Sequence, residues 1–436
     1  MGIRCRIFGI FKTLFALLVC YTLVINVYFH SSDRSVVDPF EMQKYLNQLS
    51  KKRIADKIRN HKPLERNPES FTCNDTHEPE EFIQVEDGLY VYSAFYDTRK
   101  KGETYVRIMA LTKQTQQFAL FCSLRPKVRP IQMTYYNFNE NHRGSFGGGI
   151  FSSRVPENEP KPCRVYVFVD DELKISLPLH YTDDVAQKDF YGICTPLFND
   201  KIELSRFVEF MELSQILGAS YFVIYKDDTI GEDVNTGLNY YQDLGLVSVL
   251  PWKLPRFQGS LWQHAEILFM NDCMYRSIGK VKFVSFNRAS DFIVPTYNHT
   301  MVDFLRSSHT WVYCGYCIGA VYFENRRSSY GSGIKLMTQR SKKRSRQASR
   351  YQGHCIVQPD KIFEVGFHHV SKPNEERYVV KAMTPLEALV YKFTKCVQGE
   401  TLDILCIAMM EDRTMGRYEV ELRTAYEDNI VQINSR

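Results

Sequence analysis

The chain has 436 residues, 44% of them hydrophobic and 14% aromatic, enough to bury one large core or two modest ones beside a membrane anchor. Its 55 basic and 50 acidic residues leave a net charge of only +5, too small an excess to imply a nucleic-acid partner.

The first element is an apolar run. From Thr13 to Phe29 there is no charged side chain, and at 1.5 Å per residue the run reaches about 25 Å, the short end of what spans a bilayer. Arg4, Arg6 and Lys12 precede it, and positive charge is retained on the cytoplasmic side. Residues 1–12 are therefore expected as a cytosolic tail, 13–29 as a single-pass type II signal anchor, and the rest as lumenal. A cleaved signal peptide is the rival, for which only a weak site exists around Ser31 and Ser32. Residues 30–80, polar and rich in Lys, Arg, Glu and Pro, read as a stem. Of the 12 cysteines, Cys5 and Cys20 lie in the tail and the run, which leaves an even lumenal set suited to disulfides. Cys314 and Cys317 form a lone C-x-x-C, readable as a redox pair, half a zinc site or ordinary disulfide cysteines. Asn74 and Asn298 head N-glycosylation sequons that fit a lumenal address.

Residues 81–185 are dense in β-branched and aromatic residues between turns and are expected as a β-rich region. Its strands are FIQVEDGLYVYSAFYDTR, TYVRIMALT, QQFALFCSL and a hairpin in RVYVFVDDELKISLPLHY, with the Gly- and Pro-punctuated stretch from GSFGGGIF to PENEPKPC as an irregular connection. Residues 186–436 change character. Strands at YGICTPLF, SYFVIY, LVSVL and VKFVSF alternate with helices, the first capped by Asp200, stopped by Gly218 and carrying Leu204, Phe207, Val208 and Met211 on one face. This pattern predicts an α/β fold with a mainly parallel sheet and flanking helices, whose ligands bind beyond the carboxyl ends of the strands, just after Tyr225, Leu250 and Phe286. After Pro295 come an aromatic, cysteine-bearing stretch, a basic loop from Lys335 to Arg350, strands near His368 and His369, and a helix from about Arg417.

The chemistry centres on FVSFNRASDFIVP, residues 283–295. A strand running into carboxylates is where a nucleotide-binding enzyme holds a divalent metal against a diphosphate, and here only Asp291 is acidic. At this point the chain resembles glycosyltransferase family 92. The resemblance runs from SAFYDTR through CTPLF, LGASYFVIYKDD, LGLVSVLPWKLP and FMNDCMYRSIGKVKFVSF to DFIVP and PDKIFEVGFHHV, and rests on their order and spacing together. It implies a GT-A-like domain in the Golgi or endoplasmic reticulum that transfers a hexose, galactose from UDP-galactose, to a glycan or glycoprotein acceptor with Mn2+ as cofactor. The family's Asp-x-Asp-Glu carboxylates fall here on Arg288, Ser290 and Asp291, and its late His-Tyr-Arg on Val390, Tyr391 and Lys392. Two of three carboxylates are thus replaced, which puts the Mn2+ site in doubt.

Asp291 and Arg288 are the catalytic candidates, Arg288 as positive charge against the leaving diphosphate. Asp227 and Asp228 follow a strand where ribose or uracil is read, or form an exposed turn. Asn271 and Asp272 are substrate contacts or packing residues. His368 joins Asp291 as a metal ligand or is structural, and the basic loop binds a diphosphate or is simply solvated. Two functions stand: an active hexosyltransferase, or an inactive membrane-anchored relative that binds a glycan or scaffolds an active one.

Overall fold

The computed structural model describes residues 81–436 apart from 127, 158, 183–186, 188, 199–201, 257–258, 324–335 and 395–407. The expected anchor, the stem and Asn74 lie outside the described residues, as do Cys73, Asp200, Cys396 and Cys406. Among the described residues no helix is long and apolar enough to cross a membrane.

Two nine-stranded sheets follow one another along the chain. At the centre of the first, the long strands Leu89–Lys100 and Glu103–Lys113 pair as an antiparallel hairpin, flanked by Glu172–Tyr181 and Phe146–Arg154. Period-two alternation assigns the side chains of Leu89–Lys100 to opposite faces. Tyr90 and Tyr92 enter one core, Leu89 and Val91 another. A bulge between Val91 and Ser93 then shifts the phase, so that Phe95 joins Tyr90 and Tyr92 while Ala94 and Tyr96 join Leu89.

The stretch opening at GSFGGGIF is irregular only beyond Arg154: Phe146–Arg154 is a buried strand paired along its whole length with Glu103–Lys113. Its glycines read as loop residues, yet they serve close approach. A Cβ on Gly148 would stand 2.9 Å from Leu268 Cβ and 3.2 Å from Phe138 Cδ2, so only glycine lets the neighbouring helix lie against this strand.

The second sheet is built from β1 (Asp189–Leu197), β2 (Tyr221–Lys226), β3 (Val247–Pro251), β4 (Val281–Phe286), β5 (Asp291–Pro295), β6 (Tyr313–Tyr322), β7 (Ser349–Val357), β8 (Val379–Ala382) and β9 (Ala388–Lys392). The order is β3-β2-β1-β4-β7-β6-β9-β5, with β8 beside β6. The four strands read from the sequence are all mutually parallel, because a helix-bearing crossover joins each to the next. Beyond β4 the sheet is mixed: β7 runs antiparallel to both β4 and β6, and β5 antiparallel to β9, while β6 runs parallel to β8 and β9. Residues 287–290 join β4 to β5 with no crossover helix, so nothing obliges β5 to run parallel to β4.

Helix α1 (Leu204–Ile216) follows β1, α2 (Glu232–Asp243) follows β2, α3 (Glu266–Ser277) leads into β4, α4 (Met301–Ser308) follows β5, and α5 (Glu419–Asn434) closes the chain. Gly218 (φ 104°) and Gly245 (φ 69°) end α1 and α2 in the left-handed region that glycine tolerates. Alternation along β2 sends Phe222 and Ile224 to the core shared with α1, α2 and α5, and Val223 and Tyr225 to the core shared with α3. Helix α3, buried along its entire length, is thus the filling between the two sheets.

Cys194–Cys273 ties β1 to α3, Cys317–Cys355 ties β6 to β7, and Cys163 is also disulfide-bonded. The even set is nevertheless not fully paired, since Cys122 and Cys314 are buried free thiols. The C-x-x-C forms no bridge of its own: Cys317 is taken by Cys355, and the Cys314 thiol donates to Val379 O at 3.3 Å. The basic stretch is likewise not a solvated loop throughout: Met337–Arg340 makes a helical turn, Lys343–Ser345 pairs with Met409–Glu411, and Arg344 Nε donates to Asp412 at 2.5 Å.

Candidate active site

Strand order reverses between β1 and β4, so the chain leaves that pair in opposite directions and opens a crevice at their carboxyl ends. Cys194 and Phe286 are opposite one another there, and Asn287 N–H extends the ladder to Cys194 O at 3.0 Å. The chain then turns tightly, Asp291 N–H donating to Arg288 O at 2.9 Å, and enters β5 at Asp291. Register fixes what meets Asp291, since it is the Cα partner of Lys392 on β9.

Lys392 Nζ lies 3.0 Å and His354 Nε2 2.8 Å from Asp291 Oδ2, while Ser290 Oγ donates to Oδ1 at 3.1 Å. Asp291 is only 1% exposed, and Lys392 and His354 are about nine-tenths buried. Burial alone would raise the Asp291 carboxyl, but the Lys392 charge and the His354 hydrogen bond overcome it and hold the group well below the usual carboxylate range. His354 is depressed to about 4 by burial and by Lys392, against the pull of Asp291. The ring is therefore neutral at pH 7, and its Nε2–H is the donor to the carboxylate.

Arg288 is half exposed and donates to Glu266 Oε2 at 2.6 Å and to Gln263 Oε1 at 3.1 Å. Glu266 opens α3 after three consecutive residues with positive φ, Gln263 (41°), His264 (54°) and Ala265 (59°), a costly conformation for side-chain-bearing residues. Burial raises the Glu266 carboxyl, partly offset by Arg288 and Lys392. His368 Nδ1 donates to Gly353 O at 2.7 Å, next to His354, and burial lowers its pKa. Asp291, Arg288, Glu266, His354, Lys392 and His368 thus share one neighbourhood.

The remaining candidates lie elsewhere. Asp227 and Asp228 follow β2 at the carboxyl edge, Asp227 Oδ1 accepting from Thr229 N at 3.0 Å and exposed Asp228 pairing with Lys253 at 3.1 Å. Asp272 is fully buried and engaged by Arg276, Ser93 and Tyr225. Asn271, also fully buried, bonds Ile267 O, Val365 O and Val365 N. Both side chains are fully buried and bonded within the protein. Asn298, half-buried, precedes α4, whose first turn is capped by the sequon's Thr300.

The donor set does not fit Mn2+. Lys392 and His354 occupy Oδ2 of Asp291, the other two positions are Arg288 and Ser290, and a divalent ion would have to sit beside an ammonium. Among the described residues, no three His, Cys, Asp or Glu side chains group as a metal site requires. Sequence reasoning missed His354, Glu266 and Asn287, the last 1% exposed with its side-chain oxygen unpartnered. Lys392 was visible only as the last residue of the Val-Tyr-Lys triplet.

The parallel strands, the switch point and its cluster of ionic side chains define an α/β domain with its candidate site at the carboxyl ends of the strands. The glycosyltransferase family 92 model matches residues 189–433, and the chain belongs to that family of glycosyltransferases. It is 24% identical over 342 residues to the beta-1,4-galactosyltransferase galt-1 of Caenorhabditis elegans, covering 74% of this chain and 78% of the relative.

Proposed function

We propose that the protein is a GT-A-type hexosyltransferase of the secretory pathway that moves galactose from UDP-galactose to a glycan hydroxyl. The observation that carries this is the ionic cluster at the β1/β4 switch point, in a chain of this family with a galactosyltransferase relative. The acceptor oxygen bonds to the anomeric carbon as the bond from that carbon to the diphosphate breaks. The diphosphate leaves with the electron pair, and the hydroxyl proton passes to a base. Arg288 supplies positive charge to the leaving group. Glu266, whose proton affinity burial raises, accepts the proton. Asp291, too acidic and too enclosed to serve as a base, positions the residues around it, and in this reading Asp227 and Asp228 contact the uridine. A panel of UDP-sugars offered to the detergent-solubilised chain with fucosylated and galactosylated glycans tests this: UDP-galactose is expected to be consumed fastest, with sugar appearing on the glycan.

One observation favours a second reading. The single carboxylate left at the end of β4 is already neutralised by Lys392, as expected of a relative that keeps the fold without catalysis. UDP binding with neither hydrolysis nor transfer from any sugar nucleotide would establish it. In either case residues 13–29 anchor the chain with residues 81–436 in the lumen. Sealed microsomes are then expected to protect the C-terminal portion from added protease, and its digestion there would rule out type II topology.

A further inference from the structure

We propose, resting on the nucleotide-sugar function above, that the Lys392 ammonium replaces a divalent cation in this site, so that the chain binds the diphosphate of a nucleoside diphosphate without metal. The geometry is built into the fold. Asp291 and Lys392 are directly opposite in the β5/β9 ladder, so their side chains emerge together at the carboxyl end of the sheet, where β4 has just ended. The ammonium sits 3.0 Å from Asp291 Oδ2, about where a cation bound to that carboxylate would have to stand. It cannot be ignored by an incoming ion, because at that range two cations repel strongly in a site this enclosed.

The ammonium also has capacity left. It carries three N–H donors, and Asp291 is its one acceptor among the described residues. A nearly buried ammonium with donors to spare is costly unless something else accepts them. A second polar group, just past the end of β4, lacks a partner: the side-chain oxygen of Asn287 is buried and unbonded. Unused donors on Lys392 and an unbonded acceptor on Asn287, both at the carboxyl ends of sheet strands, suit a ligand bearing both phosphate oxygens and N–H or hydroxyl groups, as a nucleoside diphosphate does. His354 donates to the same Asp291 oxygen through its neutral ring, and Ser290 donates to the other, so the carboxylate is fixed and the ammonium is fixed through it. Asp291 and His354 are accordingly positioning residues, and Lys392 is the group that touches the diphosphate.

The test is calorimetric titration of UDP into the full detergent-solubilised chain, with 5 mM MnCl2 or with EDTA. The wild type is expected to bind UDP with less than a twofold difference between the two conditions. Lys392→Ala, which leaves Asp291 and Glu266 without the ammonium, is expected to bind at least tenfold more weakly in EDTA and to recover part of that loss in manganese. Lys392→Arg is expected to stay close to the wild type in both, and thermal melts identify any variant that has not folded. A tenfold or greater gain by the wild type on adding manganese overturns this proposal while leaving the transferase function intact. Unchanged EDTA affinity in a folded Lys392→Ala also overturns it. If the wild type binds neither UDP nor UDP-galactose in either condition, the proposal and the nucleotide-sugar function fall together.

Discussion

Asp272→Ala is expected to destabilise the protein by about 3–5 kcal/mol, the usual cost of stripping one partner from a buried ion pair. The carboxylate is fully buried on α3. Its Oδ2 accepts from Arg276 Nε at 2.5 Å and from the Tyr225 hydroxyl, and its Oδ1 accepts from Arg276 at 3.2 Å and from Ser93. Ser93 belongs to the first sheet, Tyr225 to β2 of the second, and Arg276 also meets His180 of the first at 3.3 Å. One side chain therefore joins both sheets through the helix between them. Alanine leaves a guanidinium whose side chain is 7% exposed without its counter-charge, so the loss comes mainly from the stranded cation. A urea midpoint well below the wild type's, with unchanged slope, is the expected result. Asp272→Leu combined with Arg276→Met should recover much of it, since apolar replacement of a whole buried pair is often neutral. Stability within 1 kcal/mol of wild type in Asp272→Ala, together with lost UDP binding, would instead make Asp272 a substrate residue.

The elements legible in the sequence were those whose evidence is local. SYFVIY and VKFVSF are short apolar runs between a glycine and a polar turn, and both became buried parallel strands. The C-terminal helix begins within two residues of its expected start at Arg417. What failed depended on distant partners. The Gly-rich run at 147–149 looks like a loop until Leu268 of α3 is laid against it, and the basic stretch looks solvated until Asp412 reaches Arg344 from 68 residues away. The site divides the same way. Asp291 and Arg288 are visible at the end of a recognisable strand, whereas His354 lies 63 residues further on. Its place beside Asp291 follows from β7 inserting next to β4, a choice of neighbour that no local pattern records. The functional weight of Lys392 likewise arises from the β5/β9 register.

Acid should unfold this site in a way that His354 dominates. Its folded-state value lies near 4 against an ordinary 6.5, with burial as the first cause and Lys392 as the second. The folded protein thus binds fewer protons there than the unfolded chain. The neutral ring's contribution to stability is fully present above pH 6.5 and is lost as the pH falls toward 4, amounting to about 3 kcal/mol. The groups acting on the ring are Asp291, Lys392 and His368, and of these Asp291 is also depressed, so its own loss begins only below its ordinary value of 3.8. His309 and His368 are lowered too and add losses of the same sign, so the wild-type curve alone does not isolate His354. His354→Gln does, because its amide still donates to Asp291 but does not titrate. Denaturation measured every half unit from pH 7.5 to 4.5 should show the wild type losing stability faster than the variant, the gap between them closing by about 3 kcal/mol as pH 4 is approached. Parallel curves would mean an unshifted His354, and a wild type that gains on the variant as the pH falls would mean that the ring is already protonated in the folded protein at pH 7. Asp291 would then hold two cations rather than one, and the ammonium of Lys392 would no longer be its principal counter-charge.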